Sequence, residues 1–168
     1  MRRTSRDRAV IVICLFFVAV ASTVELWWVR HASHLPAQQG WLAGAFSLYV
    51  LGDRGYYDQV GSFEISLETF HVYATQVFYV VLIAATLRGV RWRFPLQLCV
   101  GAYVAYSVML YFAAKHMTGY VETPVHDLPS FLMLIVPNLP WLFASLFLAL
   151  DAGAEIARAV ALSGGARP

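Results

Sequence analysis

The amino-acid sequence predicts an all-α fold, a four-helix transmembrane bundle with a short interfacial helix between helices one and two. Its composition is too apolar for a soluble domain, since 60% of the 168 residues are hydrophobic and 13% are charged. Four apolar runs are each long enough to cross a hydrocarbon core of about 30 Å, which takes about 20 helical residues. The runs lack the polar and apolar alternation of barrel strands, so helices are the expected spanning elements.

The four runs form one predicted transmembrane domain, residues 9–151, flanked by cytoplasmic tails at residues 1–8 and 152–168. The first run follows a basic start, as a secretory signal would. It is longer than a signal's apolar region of about 7 to 15 residues, and no small-x-small cleavage site precedes a soluble body, so we expect it to remain as a span. The runs extend over Ala9 to Val29, Phe63 to Leu87, Pro95 to Ala114 and Pro129 to Leu150.

The connection between the first two runs contains the apolar piece "WLAGAFSLYVL", Trp41 to Leu51. Eleven residues are too few to span a bilayer as a helix. The segment is therefore expected to lie along the membrane interface, or to fold into the mouth of the bundle as a lid.

The distribution of arginine predicts the orientation of the chain. Because an even number of spans returns the chain to its starting side, three arginine-containing segments fall on one face of the membrane. The positive-inside rule assigns that face to the cytoplasm, in a bacterial plasma membrane or in the endoplasmic reticulum. The basic residues of these segments are Arg2, Arg3, Arg6 and Arg8, then Arg88, Arg91 and Arg93, and finally Arg158 and Arg167.

Ionisable residues within the apolar runs are the main functional signal. Glu64, Glu68 and His71 are spaced i, i+4, i+7 and share one face of helix two, and Glu25 lies in helix one. A charge at bilayer depth costs about 2.5 kcal/mol or more, so such residues are functional candidates. The alternatives are that Glu64 extends to the interface or favours the helix N-terminus, that the other glutamates hydrogen-bond between helices, and that His71 is structural.

Polar and aromatic residues on the other two helices are expected to meet these acids. Asn138 and Trp141 lie in "VPNLPWLF", where Pro137 and Pro140 free backbone carbonyls and favour a bend around a cavity. Helix three contributes hydroxyl groups from Tyr103, Tyr106, Ser107 and Tyr111.

Two acids in one apolar pocket indicate proton chemistry on a hydrophobic substrate. A carboxylic acid in such a pocket can keep its proton near neutral pH, so either Glu25 or Glu68 could protonate an alkene carbon. The second carboxylate and the face of Trp141 would stabilise the resulting carbocation. This chemistry needs no cofactor and no metal.

Several motifs together resemble the EXPERA family, over about Val12 to Asp151. The family includes the emopamil-binding protein, a sterol Δ8-Δ7 isomerase, and non-catalytic sterol-binding relatives. The matching segments, in chain order, are "VELWWV", "GDRGYYD", "LET", "RWRFPLQLCVGAYVAYSVMLYF", "PNLPWL" and "LALD".

The resemblance implies roles for particular residues. Glu25 and Glu68 correspond to the isomerase's acids, and Asp53, Tyr56, Asn138 and Trp141 match its substrate-binding positions. The residue pattern itself adds His71 as a third candidate catalytic residue and Trp28, Tyr106 and Tyr111 as further expected substrate-binding residues. Three positions depart from the isomerase, which has a histidine at Ala21, a threonine at His71 and an aspartate at Val108.

The resulting hypothesis is a membrane isomerase that shifts a carbon-carbon double bond in a sterol or terpenoid. A non-catalytic sterol- or lipid-binding protein of the same family and a terpenoid cyclase are the alternatives. Expected partners are a hydrophobic small molecule, the lipid bilayer and a second copy in a possible homodimer, with no nucleic acid.

Overall fold

A computed structural model of the protein describes residues 4–121, 123 and 127–164. The predicted all-α four-helix bundle is confirmed, because the described residues form helices and no strand, and four helices are long and apolar enough to cross a membrane. These are the first span (Ser5–Ala37), the second span (Ser62–Arg88), the third span (Arg93–Met117) and the fourth span (Leu128–Ser163).

Two of the spanning helices extend well beyond the apolar runs. The first begins inside the predicted tail, where the Thr4 hydroxyl accepts a hydrogen bond from the Asp7 amide at 3.1 Å and the Asp7 carboxylate accepts one from the Thr4 amide at 2.9 Å. The fourth continues past Leu150, and Glu155 there pairs with Arg6 and Arg158. Hydropathy marks the membrane-embedded part of a helix, whereas caps and ion pairs decide where the helix ends.

The third and fourth spans pack closely at a glycine. A Cβ atom at Gly101 would lie 2.7 Å from the Ser145 carbonyl oxygen and 2.6 Å from the Ala149 amide nitrogen, so only glycine permits this approach. Residues next to this contact belong to the apolar core of the bundle. Its fully buried members are Val10, Cys14, Phe17, Tyr79, Leu82, Val100, Val104 and Leu148.

Three of the spans contain an irregular turn at similar places in the bundle. The first span has a π-helical turn at Ala21–Glu25, the second has one at His71–Thr75, and the two turns contact each other. The fourth span passes through a 3₁₀ turn at Val136–Asn138, which contains Pro137. Pro137 thus interrupts the α-helix as predicted, because proline provides no amide donor.

The connection between the first two spans forms a cover over one end of the bundle. Its helix, the cover helix, runs over Trp41–Tyr49 and ends two residues before the predicted boundary. A 3₁₀ turn follows at Arg54–Tyr56. Between them, a Cβ atom at Gly52 would lie 2.6 Å from the backbone of Met133 and Leu134, so the chain is seated directly on the fourth span.

Candidate active site

Residues from three spans and the cover line a cavity of about 240 Å³, here called the acid cavity. Glu25 comes from the first span and Glu68 from the second, and both line it. Apolar and aromatic side chains form most of the remaining wall. The other lining residues are Val24, Trp28, Ala45, Phe46, Tyr49, Tyr56, Pro137, Asn138 and Trp141.

Neither of the two acids has a cationic partner among the described residues. Glu68 accepts a hydrogen bond at Oε1 from the Tyr56 hydroxyl, at 2.6 Å. The Oε2 atoms of Glu25 and Glu68 are buried, and neither has a hydrogen-bond partner among the described residues. Within that part of the chain, neither acid forms an ion pair. Carboxyl oxygens in this condition are costly for the fold.

Each of the two acids lies within or close to a π-helical turn. Glu25 is the last residue of the first π turn, and Glu68 lies three residues before the second. A π turn inserts one residue, which rotates the following side chains by about 100° relative to a regular α-helix. The loosened carbonyls of the second turn are partly satisfied by side chains, since Gln76 Nε2 donates to the His71 oxygen at 3.1 Å.

A smaller chamber of about 40 Å³, the rear chamber, lies behind the acid pair. Both acids line it, together with His71, Ser107 and Tyr111. His71 Nε2 lies 3.1 Å from Ser107 Oγ, and Ser107 donates its own proton to the Val104 carbonyl at 2.8 Å. The serine oxygen therefore accepts from His71, which assigns the proton of a neutral ring to Nε2 and leaves Nδ1 as an acceptor.

Tyr56 is held as a hydrogen-bond donor. Burial of its hydroxyl raises the pKa of Tyr56 well above 10, and the nearby charge of Glu68 acts in the same direction. The phenol consequently keeps its proton at physiological pH. Its backbone is fixed by the buried Trp28, whose indole nitrogen donates to the Tyr56 carbonyl at 2.8 Å.

Asn138 and Trp141 line both the acid cavity and the rear chamber. Asn138 Nδ2 donates to the Leu134 carbonyl at 2.8 Å and to the Tyr49 hydroxyl at 3.3 Å, which links the fourth span to the cover helix. Trp141 stacks on Phe17 with ring centroids 4.4 Å apart. Both side chains are therefore held in place by contacts with neighbouring residues.

Asp53, a predicted substrate-binding residue, does not line the acid cavity. It belongs to a buried group, the ion cluster, made by Asp53, Glu64, Lys115 and Tyr111. Lys115 Nζ lies 3.0 Å from Asp53 Oδ1 and 2.7 Å from Glu64 Oε1, and the Tyr111 hydroxyl donates to Asp53 Oδ2. The cluster joins the cover to the second and third spans.

The expectation that Glu64 extends to the interface is wrong. Its residue is 4% exposed, because Lys115 from the third span neutralises it inside the protein. Sequence reasoning missed Lys115, although the signal was present: it is a lysine at the end of an apolar run, where a buried charge needs a partner.

Tyr106 is not brought to the site. It is 56% exposed on the outside of the bundle, whereas Tyr111 is 2% exposed and lines the rear chamber. Ser107 and Tyr111 are four residues apart and share a helix face, and Tyr106 lies about 100° away from Ser107. Tyr103 faces the site instead, with its ring edge-on to His71 at 5.9 Å.

Among the described residues, no three histidine, cysteine, aspartate or glutamate side chains are arranged to hold a metal ion. No protein-family model matches the chain, and comparison with curated proteins gives no match.

Proposed function

We propose that the protein is a membrane-embedded isomerase of the EXPERA type, which moves a carbon-carbon double bond in a sterol or terpenoid. One observation carries the proposal: two acidic side chains from neighbouring spans line the same apolar cavity with no cation paired to either of them in the described chain. Structural acids inside a membrane protein are normally paired, so an unpaired set favours a functional role.

In this proposal Glu25 is the proton donor and Glu68 the acceptor. Glu68 accepts the Tyr56 hydrogen bond, which stabilises its carboxylate form. Glu25 receives no hydrogen bond from a described residue, and an acid in that condition favours its neutral form. Tyr56 remains protonated and donates its hydrogen bond to Glu68. It therefore favours the charged form of Glu68, the proton acceptor, and leaves Glu25 as the proton donor.

The reaction conserves atoms and electrons. The π electrons of the substrate alkene form a new C–H bond with the proton of Glu25, which leaves a carbocation at the neighbouring carbon. Glu68 then removes a proton from the carbon on the other side of the cation, and the electrons of that C–H bond form the displaced double bond. The proton returns to Glu25 through His71, which lines the rear chamber with both acids.

The cavity walls would stabilise the cation between these steps. The carboxylate of Glu68 supplies negative charge, and the aromatic faces of Trp141 and Trp28 attract a cation through their π electrons. The surrounding apolar side chains would limit the access of water, which would disfavour capture of the cation as an alcohol.

The arrangement of charges supports the orientation inferred above. Arg8, Arg88, Arg91 and Arg93 gather at the end of the bundle where the second span finishes, and the cover helix lies over the acid cavity near the start of that span. We propose that the arginine end faces the cytoplasm.

Deuterium incorporation tests the proposal directly. The purified protein is incubated in deuterated water with Δ8-sterols and with terpenoid alkenes, and the products are analysed by mass spectrometry. Isomerised product carrying deuterium at the protonated carbon is expected, and Glu25→Gln should abolish it. Glu155→Gln, at the surface of the fourth span, is the matched control and should retain the activity of the original protein. Incorporation that survives Glu25→Gln would overturn the assignment.

A non-catalytic lipid-binding protein is the second candidate. The same observation favours it, since unpaired carboxyl oxygens in an apolar cavity would bind a hydrophobic amine. Saturable binding of sterols or cationic amphiphiles, lost in Glu68→Gln and accompanied by no deuterium incorporation with any alkene, would establish this function in place of the isomerase.

A further inference from the structure

A second recess, the arginine cleft, lies where the start of the first span meets the link between the second and third spans. Its volume is about 940 Å³, and Arg8, Arg88, Arg91 and Arg93 line it. Asp7 also lines it and is ion-paired to Arg93, which leaves a net charge of three positive from these residues. The proposed isomerisation uses none of them.

Two residues that line this cleft each carry a buried polar atom that has no hydrogen-bond partner among the described residues. One is the Thr86 hydroxyl, whose residue is 3% exposed, and the other is Nη1 of Arg93. Buried donors are normally satisfied by protein, water or ligand. An anionic oxygen is an acceptor for either kind of group, and it makes the stronger hydrogen bonds that charged acceptors make.

The arginines are carried by a rigid link. The second span ends in a Schellman motif, in which Gly89 has a φ of +66° and the Val90 amide donates to the Ala85 carbonyl at 3.2 Å. The third span begins only four residues later, at Arg93. Arg88 and Arg91 therefore stand on a short, hydrogen-bonded turn, which limits the ordering needed to bind an anion.

The cleft is amphipathic. Ile11, Val12, Leu87 and Phe94 line it beside the arginines, and Val12 and Leu87 are exposed on the outside of the bundle. A soluble anion would use only the charged part of such a surface. A lipid would use both parts, because its phosphate meets the arginines while its acyl chains meet the apolar residues.

We propose that the arginine cleft binds an anionic glycerophospholipid, with the headgroup phosphate held by Arg88, Arg91, Arg93 and the Thr86 hydroxyl. This binding does not depend on the proposed isomerase activity.

Lipid titration tests the proposal. The full chain is placed in nanodiscs of phosphatidylcholine, and phosphatidylglycerol binding is measured by native mass spectrometry and by the shift in melting temperature. Arg88→Gln should weaken binding of phosphatidylglycerol about fivefold, the factor that corresponds to about 1 kcal/mol for each arginine near an anionic membrane surface. Arg30→Gln removes the same charge at the end of the first span away from the cleft, and it should leave the affinity unchanged.

Thr86→Val keeps the size of the side chain and removes only the hydroxyl. A ligand role predicts weaker phosphatidylglycerol binding with no loss of stability in phosphatidylcholine, whereas a purely structural role would change stability and leave binding unaltered. If Arg88→Gln and Arg30→Gln weaken phosphatidylglycerol binding equally, the effect is a general electrostatic attraction to the lipid. That result would overturn the proposed site. Occupancy by inorganic phosphate in phosphatidylcholine nanodiscs, as strong as that by the lipid, would overturn the lipid assignment.

Discussion

Two pairs of carboxylates inside this bundle differ in how far their charges and hydrogen bonds are satisfied by neighbouring residues. Asp53 and Glu64 converge on Lys115, and Asp53 also accepts hydrogen bonds from Tyr111 and from the Gly55 amide at 2.8 Å. Glu25 and Glu68 meet at a cavity, receive one hydrogen bond from Tyr56, and each retain a buried oxygen without a partner in the described chain.

The difference indicates a structural role for the paired acids and a functional role for the unpaired ones. Charges buried with their partners fix neighbouring elements to one another, and removing one partner leaves the other uncompensated. Acids left unsatisfied weaken the fold and persist where a substrate uses them. The ion cluster holds Asp53 only three residues from Tyr56, so the satisfied pair positions the hydrogen-bond donor of the unsatisfied pair.

The largest expected effect comes from replacing the two glutamates of the second span one at a time. These two residues lie one helical turn apart. Glu68→Gln should lower deuterium incorporation about 100-fold to 10,000-fold, the usual contribution of a general acid or base, without lowering the melting temperature. Glu64→Gln should destabilise the protein by about 1–3 kcal/mol, because Lys115 loses a charged acceptor, while activity per folded molecule is retained. Similar activity losses in both variants would remove the distinction between the two pairs.

Removal of the shared cation should damage the fold most. Lys115→Met is expected to lower the free energy of unfolding by about 3–5 kcal/mol, because Asp53 and Glu64 are then buried next to each other without compensation. Denaturant unfolding in detergent measures this. Neutralising both acids in the same variant, with Asp53→Asn and Glu64→Gln, should restore part of the loss. A cost below about 1 kcal/mol for Lys115→Met would show that the cluster is not a structural device.

A smaller change is expected at the link between the two groups. Tyr56→Phe removes one hydrogen bond to Glu68 and should lower activity about tenfold, the effect of about 1.5 kcal/mol from a bond to a charged group. Because the pKa of Tyr56 is raised well above 10, the rate of the original protein should not fall through ionisation of Tyr56 up to about pH 10. A fall near pH 10 that is absent in Tyr56→Phe would contradict the raised pKa.

The smallest effect is expected at an exposed ion pair, which provides a reference for the buried ones. Arg54 donates to Asp58 and lowers the pKa of Asp58. The carboxylate therefore stabilises the fold at pH values above the pKa of the unfolded chain, and this contribution is lost as the pH falls through the lowered pKa. Asp58→Asn should not change the melting temperature measurably at pH 7, since exposed pairs contribute little. A clear loss at pH 7 would show that the cover depends on this contact.

The sequence by itself determined the class of the protein and the inventory of its site. Apolar runs identified the four spans, and the short run after the first span identified the cover helix, because hydrophobic length is a local property. Glu25, Glu68, Asn138 and Trp141 stood out as polar or aromatic groups at membrane depth, and they do line one cavity.

Only the tertiary structure decided which of the acids is paired. Glu64 and Glu68 look equivalent on a helical projection, and nothing local reveals that Lys115, 51 residues further on, reaches one and not the other. Tyr106 and Tyr111 were likewise separated by the orientation of the third span. Register and rotation between distant helices arise from close packing at Gly101 and from the π turns, and these depend on contacts that no single stretch of sequence contains.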